Sequence, residues 1–195
     1  MFLVILLLPL AIAEKCFSTT FPSGMTLEFN TRDSSTHFAL HVPEEIFHQW
    51  EWAGVGIKRL EDGTDMSKTD IYSVIFKESI LGDRWSEENG YPPEDTELGG
   101  ESNAKAGPVG VDPQNSKIFS WNREFNTEDI YDTELIPETE YYILWAYGAL
   151  EENGDLAMHN DCGYDTFVFI DCEDTTMEVL SDALGSDFEN GDALV

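Results

Sequence analysis

The sequence predicts an all-β chain folded as an antiparallel β-sandwich, and three observations carry that prediction. Short segments rich in Val, Ile, Phe, Tyr and Trp recur along the chain, several alternating apolar with polar residues, and polar or Gly/Pro-containing turns separate them. No stretch repeats its apolar residues with the three-to-four period of a helix packed on a core. Asn153-Gly154 stands between two apolar runs, the strongest short hairpin signal available, because a tight type I′ turn needs positive φ at both central residues. Strands of this length and spacing, without intervening helices, assemble as two packed antiparallel sheets.

Taken in order, Met1 to Ala13 is an uncharged apolar run ending Ala11-Ile12-Ala13, the small-residue pattern of a cleaved leader. It is too short to cross a bilayer, and no later stretch approaches about 18 uncharged apolar residues. The expectation is a signal peptide over 1–13, a secreted β-sandwich domain over 14–172 and an acidic tail over 173–195. Met25 to Asn30 is the first strand. In Thr36 to Val42, Phe38, Leu40 and Val42 alternate with His37, Ala39 and His41, and Pro43 ends the run. Trp50 to Leu60 is the third segment, and its Gly54 and Gly56 imply a close backbone approach or a bulge. A polar loop, Glu61 to Thr69, contains Met66. Asp70 to Phe76 and Ile80 to Trp85 are strands, whereas Ser86 to Pro108 is rich in Gly, Pro and acid and reads as structureless. Lys117 to Phe125 is strand-like, Asn126 to Thr139 is an acidic connection, and Thr166 to Asp171 is the last strand.

The hairpin between the last two carries the most specific local signal. With Asn153-Gly154 as its turn, Glu152 faces Asp155, Leu150 faces Ala157 and Gly148 lies opposite His159; a one-residue slip would change these neighbours. Side chains alternate across a strand, so His159 shares a face with Ala157, Leu150, Gly148 and Ala146, while Trp145, Tyr147, Ala149 and Met158 point the other way. The imidazole then stands among small residues, which leaves room for something flat. In a regular strand Met158 cannot act with His159, and any second ligand comes from elsewhere.

Charge narrows the partners. Ten Lys and Arg stand against 39 Asp and Glu, a formal net charge of −29, and the leader carries none of it. Such a chain repels nucleic acid and anionic lipid, and is drawn to cationic partners or divalent cations. The plainer reading of the charge is solubility in a salty or calcium-bearing medium. With so many carboxylates, acid pairs arise at almost any spacing and do not argue for a glycosidase. The acids of Glu87 to Glu101 have the chemistry to hold calcium weakly, but they lack EF-hand spacing, and the plainer reading is a solvated loop. Arg123 with Asp129 reads as a structural ion pair, and His37, His41 and His48 as surface or packing residues. No nucleophile elbow, phosphate loop, Cys-x-x-Cys or His-Glu-x-x-His occurs, which leaves no common catalytic motif.

Of the three cysteines, Cys162 and Cys172 flank the last strand, too far apart along an extended chain to be bridged. If the first and last strands pair antiparallel, Cys16 to Cys172 is the natural disulfide of an exported chain, with Cys162 left free.

Trp52-Ala53-Gly54-Val55-Gly56-Ile57, Met66-Ser67-Lys68-Thr69-Asp70, Gly82-Asp83-Arg84-Trp85, Phe119-Ser120-Trp121-Asn122-Arg123 with Thr127 and Asp129, Trp145-Ala146-Tyr147-Gly148 and His159 follow one another in an order that resembles the DOMON family, the dopamine β-monooxygenase N-terminal type of domain. The resemblance runs from about Met25 to Asp171. It implies an immunoglobulin-like sandwich with a ligand pocket at one side. Some members, such as the cytochrome domain of cellobiose dehydrogenase, hold a b-type haem between one methionine and one histidine; others bind sugars. Carried over, the methionine is Met66 and the histidine His159. An arginine common shortly after that histidine is absent from His159-Asn160-Asp161-Cys162-Gly163.

The residues themselves add to this. Met66 lies between Asp65 and Ser67, where a thioether has no evident packing role, and a methionine sulfur is a soft ligand suited to haem iron. The plainer alternative makes Met66 a gap-filler and His159 an ordinary hydrogen-bonded histidine. The expected function is thus a monomeric one-electron carrier, not a catalyst, with haem b on Met66 and His159, Trp52, Tyr72, Ala146 and Gly148 as pocket wall, and a separate redox protein as partner. The alternative is an extracellular binding or adhesion module without haem that takes a saccharide or small ligand, with Trp50, Trp85, Tyr91 and Trp121 available for stacking.

Overall fold

The computed structural model describes residues 16–172; the expected leader and the acidic tail lie outside them. The chain forms two antiparallel sheets. One contains β1 (Phe17–Thr20), β2 (Thr26–Arg32), β3 (Ser35–Val42), β7 (Lys105–Ala106), β8 (Gly110–Val111) and β9 (Lys117–Glu124), in the order β1-β2-β3-β9-β7 with β8 also paired to β9. The other contains β4 (Trp52–Arg59), β5 (Thr69–Ile75), β6 (Ile80–Ser86), β10 (Thr139–Gly148) and β11 (Asp161–Phe169), in the order β11-β10-β4-β5-β6. Among the described residues, two short helices interrupt the strands, α1 (Glu44–Gln49) and α2 (Asp95–Leu98), with one 3₁₀ turn at Leu60–Asp62.

The alternation in the sequence sets which faces meet. Thr36, Phe38, Leu40 and Val42 of β3 are buried while His37 is exposed, as period two requires. Phe119 and Trp121 of β9 and Ala53, Val55 and Ile57 of β4 join the same core. Its centre is aromatic: Phe38 stacks on Trp121 and on Tyr72, at centroid separations of 5.3 and 5.9 Å. His41 is half-buried rather than simply exposed, its Nδ1 lying 3.0 Å from Asp112 and its Nε2 3.4 Å from Glu28.

Cys16 and Cys172 form the disulfide, with Cα atoms 5.7 Å apart, and Cys162 is free and exposed. The geometry differs from the expected one. β1 and β11 do not pair; each is the edge strand of a different sheet, so the bridge closes one side of the sandwich across the two sheets.

Arg123 also differs. It points inward from β9 and donates to Asp70 Oδ2 at 2.5 Å and to the Thr133 carbonyl at 2.6 Å, with Asp132 at 3.7 Å. Asp129 instead accepts from the Glu101 and Tyr131 backbone N–H groups. Strands hold acids in their interiors rarely, so the buried Asp70 offered Arg123 a stronger partner than a loop residue near it in sequence.

Candidate functional site

β4 has unusually small side chains on its outer face. Gly54 and Gly56 alternate with core residues and face away from the other sheet, and beside them Ala146 and Leu144 of β10 and Ile71 and Thr69 of β5 continue the floor. The glycines are required by the pairing itself: a Cβ on Gly56 would stand 2.5 Å from Thr69 Cγ2, and one on Gly54 would stand 3.0 Å from the Tyr72 carbonyl oxygen. The result is a hollowed sheet face, opening into a largely apolar cavity of about 880 Å³.

Three loops wall it. On one side the 63–68 loop folds back over the sheet and brings Thr64, Asp65 and Met66 to the cavity. Lys58 causes this fold. Its ammonium is fully buried on the outer side of β4, and it donates to the Ser67 carbonyl at 2.5 Å and the Asp65 carbonyl at 2.9 Å, either side of Met66. Asn89 Oδ1 accepts from the Met66 N–H at 3.1 Å and ties in the second wall, 89–92. The Ser67 hydroxyl, with help from Lys58, holds the Asp65 carboxyl below the ordinary carboxylate range.

The third wall is the β10–β11 connection, which carries His159. Its turn is not the type I′ expected. Among the described residues Gly154 has positive φ, 91°, but Asn153 does not; Gly154 N–H donates to the Glu151 carbonyl and Glu151 N–H to Asp155, closing a three-residue loop with glycine at the left-handed position. Leu150 therefore pairs with Leu156, not Ala157. Further along, Tyr147 pairs with Asp161, so three steps back along β10 match five steps forward from Leu156, and the second arm carries two extra residues. His159 lies in that bulge. The bulge also removes the premise that kept Met158 and His159 on opposite faces: both border the cavity, Met158 at its rim with 86% exposure and His159 half-buried.

Of the residues singled out in the sequence, Met66, His159, Trp52 and Ala146 border this one cavity. Gly148 supports it from beneath, its Cα so close that a Cβ would lie 3.0 Å from Trp52 Nε1 and 3.2 Å from His159 Cα. Tyr72 is not part of it. It sits on the inner face of β5, 1% exposed, and donates to Asp70 Oδ2 at 2.8 Å. Asp70 and Val74 are buried beside it in period two, and that alternation could have assigned Tyr72 to the core. Among the stacking candidates only Tyr91 borders the cavity; Trp121 is core, Trp50 packs on Tyr147 and Trp85 on Tyr131. Sequence reasoning missed Lys58, for which the signal was a lysine continuing the Gly54, Gly56 side of an otherwise apolar strand. It also missed that Cys162 and Tyr164 border the cavity, because β11 begins at Asp161, earlier than expected.

Among the described residues no helix is long and apolar enough to cross a membrane. Compared with known proteins, the chain matches no family model and no curated protein.

Proposed function

We propose that this chain is an exported, DOMON-like b-type cytochrome domain that carries single electrons, with Met66 and His159 as the haem ligands. The observation that supports it is the convergence of these two residues, far apart in sequence, on one largely apolar cavity whose floor is hollowed at Gly54 and Gly56. A flat macrocycle needs such a floor, and a thioether with an imidazole is a donor set that iron porphyrins accept. Bound haem would supply a one-electron couple, and Met66 and His159 together would hold its iron without leaving a site open to substrate. The chain's own contribution is positioning: Lys58 and Asn89 hold the Met66 loop over the sheet, and the β11 bulge with Gly148 beneath it holds His159. The acidic surface suits a partner with a basic docking face. Haem titration of the mature chain tests the reading. Saturable uptake of one haem per chain with a six-coordinate, low-spin spectrum is expected, and a folded chain that takes up none would refute it.

The same apolar floor also suits a small hydrophobic ligand in place of haem. That reading predicts a colourless protein in which such a ligand quenches Trp52 fluorescence with one-to-one stoichiometry. A saccharide is less well served, since one of the four stacking candidates is at hand.

A further inference from the structure

At the end of the sandwich remote from the 150s turn, the structure buries three carboxylates close together, with a fourth, that of Asp95, buried near them. Asp70 of β5 and Asp83 of β6 face inward, Asp132 comes from the 125–138 connection and Asp95 opens α2. One oxygen from each of Asp70, Asp83 and Asp132 lies within 4.8 Å of the others. The 87–101 segment is therefore not simply a solvated loop, because its Asp95 turns inward and is fully buried.

The partners of these carboxylates occupy only one side of each. Asp70 Oδ2 accepts from Tyr72, Arg123 and the Thr133 N–H, and Asp83 Oδ2 accepts from the Asn103 and Ala104 N–H groups at 2.6 and 2.9 Å. Asp132 Oδ2 accepts from the Asn103 amide, turned with its nitrogen inward, at 3.0 Å. The second oxygens of Asp70, Asp83 and Asp132 have no hydrogen-bond donor, and neither oxygen of Asp95 has one. Asp95 is the independent observation. It is 0% exposed, wholly unpartnered, and the charges that act on it most strongly are those of Asp83, Asp70 and Asp132. Buried polar atoms are rarely left unsatisfied, and the three orphan oxygens of the cluster, with the two of Asp95 near them, leave the site open to a cation. Four carboxylates against the one guanidinium of Arg123 leave a charge of −3 when ionised, which a divalent cation would reduce to −1.

We propose that Asp70, Asp83, Asp95 and Asp132 form a structural calcium site. The donors are all hard oxygens with no nitrogen or sulfur, which selects against zinc and copper. Calcium takes six to eight oxygens at about 2.3–2.6 Å, so ligand oxygens stand up to about 5 Å apart across the ion, in keeping with the spacing of the cluster. The site ties α2 and the 125–138 connection to strands β5 and β6. A hollow of about 450 Å³ between Gly100, Asn103, Thr127 and Asp129 opens between the same two loops and offers an approach from solvent.

The test is calcium binding to the mature chain, freed of metal with a chelator, by calorimetry and thermal melting at physiological salt with excess magnesium. One saturable calcium per chain and a raised Tm are expected. Asp95→Asn should lose that calcium-dependent rise and still melt cooperatively in the chelator. Asp83→Asn should weaken binding at least tenfold. No saturable site in the wild type would overturn the proposal. So would an unchanged calcium response in Asp95→Asn, which would assign the binding to surface acids.

Discussion

The Lys58 ammonium donates to the Ser67 carbonyl at 2.5 Å, although neither residue belongs to a charged surface: Lys58 is fully buried, and the loop it holds is what covers it. An ammonium without aqueous exposure needs acceptors for its N–H groups, and here the Asp65 carbonyl, the Asp65 carboxylate and the Ser67 carbonyl supply them. Lys58→Met keeps much of the side chain's length and removes the donors. The expected loss is about 1–3 kcal/mol, the cost of leaving buried acceptors unmade, read by urea denaturation. Haem affinity should fall by more than tenfold as Met66 is released. A variant with wild-type stability and wild-type haem binding would show that the loop holds itself.

Gly148→Ala separates the cavity from the core. Its Cβ would press on Trp52 Nε1 and on His159 Cα at 3.0 and 3.2 Å, contacts that require shifts of a few tenths of an ångström. Stability should change by less than about 1.5 kcal/mol, as for modest overpacking. Haem affinity should drop about tenfold, because the backbone that must give is the one carrying the ligand. Equal affinity in the two proteins, measured by competition with a haem scavenger, would remove Gly148 from the site.

The disulfide predicts a stability effect without a cavity effect. Cys16 and Cys172 join the edge strands of the two sheets across a sequence separation of 156 residues. Replacing both by alanine should cost about 2–5 kcal/mol, seen as a lower denaturation midpoint, while cavity ligands bind with unchanged stoichiometry. Retained stability in the double variant would mean that the inter-sheet aromatic packing suffices.

The buried carboxylates make the metal-free protein sensitive to alkali. Burial, augmented for Asp95 by Asp83 and Asp70, pushes Asp70 to about 8 and Asp95 to about 9, and burial pushes Asp83 to about 6. The groups facing them are Arg123, Tyr72, Asp132 and Asp129, of which one is cationic. Between the ordinary value of 3.8 and these raised values the folded chain binds more protons than the unfolded one. Their contribution is therefore largest at or below pH 4 and falls as pH rises towards 9. In chelator, Tm at pH 8.5 should lie below that at pH 5.5, and Asp70→Asn should flatten the difference. An unchanged slope in that variant would assign the dependence to the acidic surface instead.

The parts of this fold that follow period two were legible in the sequence. Phe38, Leu40 and Val42 went inward, because alternation is a local property of the strand, and Gly54 and Gly56 marked a close backbone approach. The features that were not legible depend on pairing between distant segments. Asn153-Gly154 fixed the existence of the hairpin but not its loop length, and one residue of slip with two of bulge moved His159 out of the strand. Tyr72, expected on the pocket wall, instead turns into the core, where its hydroxyl meets Arg123 and Asp70 from segments distant in sequence. Asp83 and Asp95 vanished among 39 acids, since charge count carries no information about which side chains turn inward.

Met66 and His159, which border a single cavity, are proposed to bind the iron of one haem. The most direct test of that pairing is the spectrum of the haem-loaded chain, residues 14–195, oxidised and reduced, beside Met66→Ala, Met158→Ala and His159→Ala. The account predicts a low-spin six-coordinate wild type, with the near-infrared signature of thioether ligation in the ferric state lost in Met66→Ala and kept in Met158→Ala. His159→Ala should be five-coordinate or empty. A folded wild type that binds no haem, or a spectrum indifferent to Met66 and His159, would contradict it.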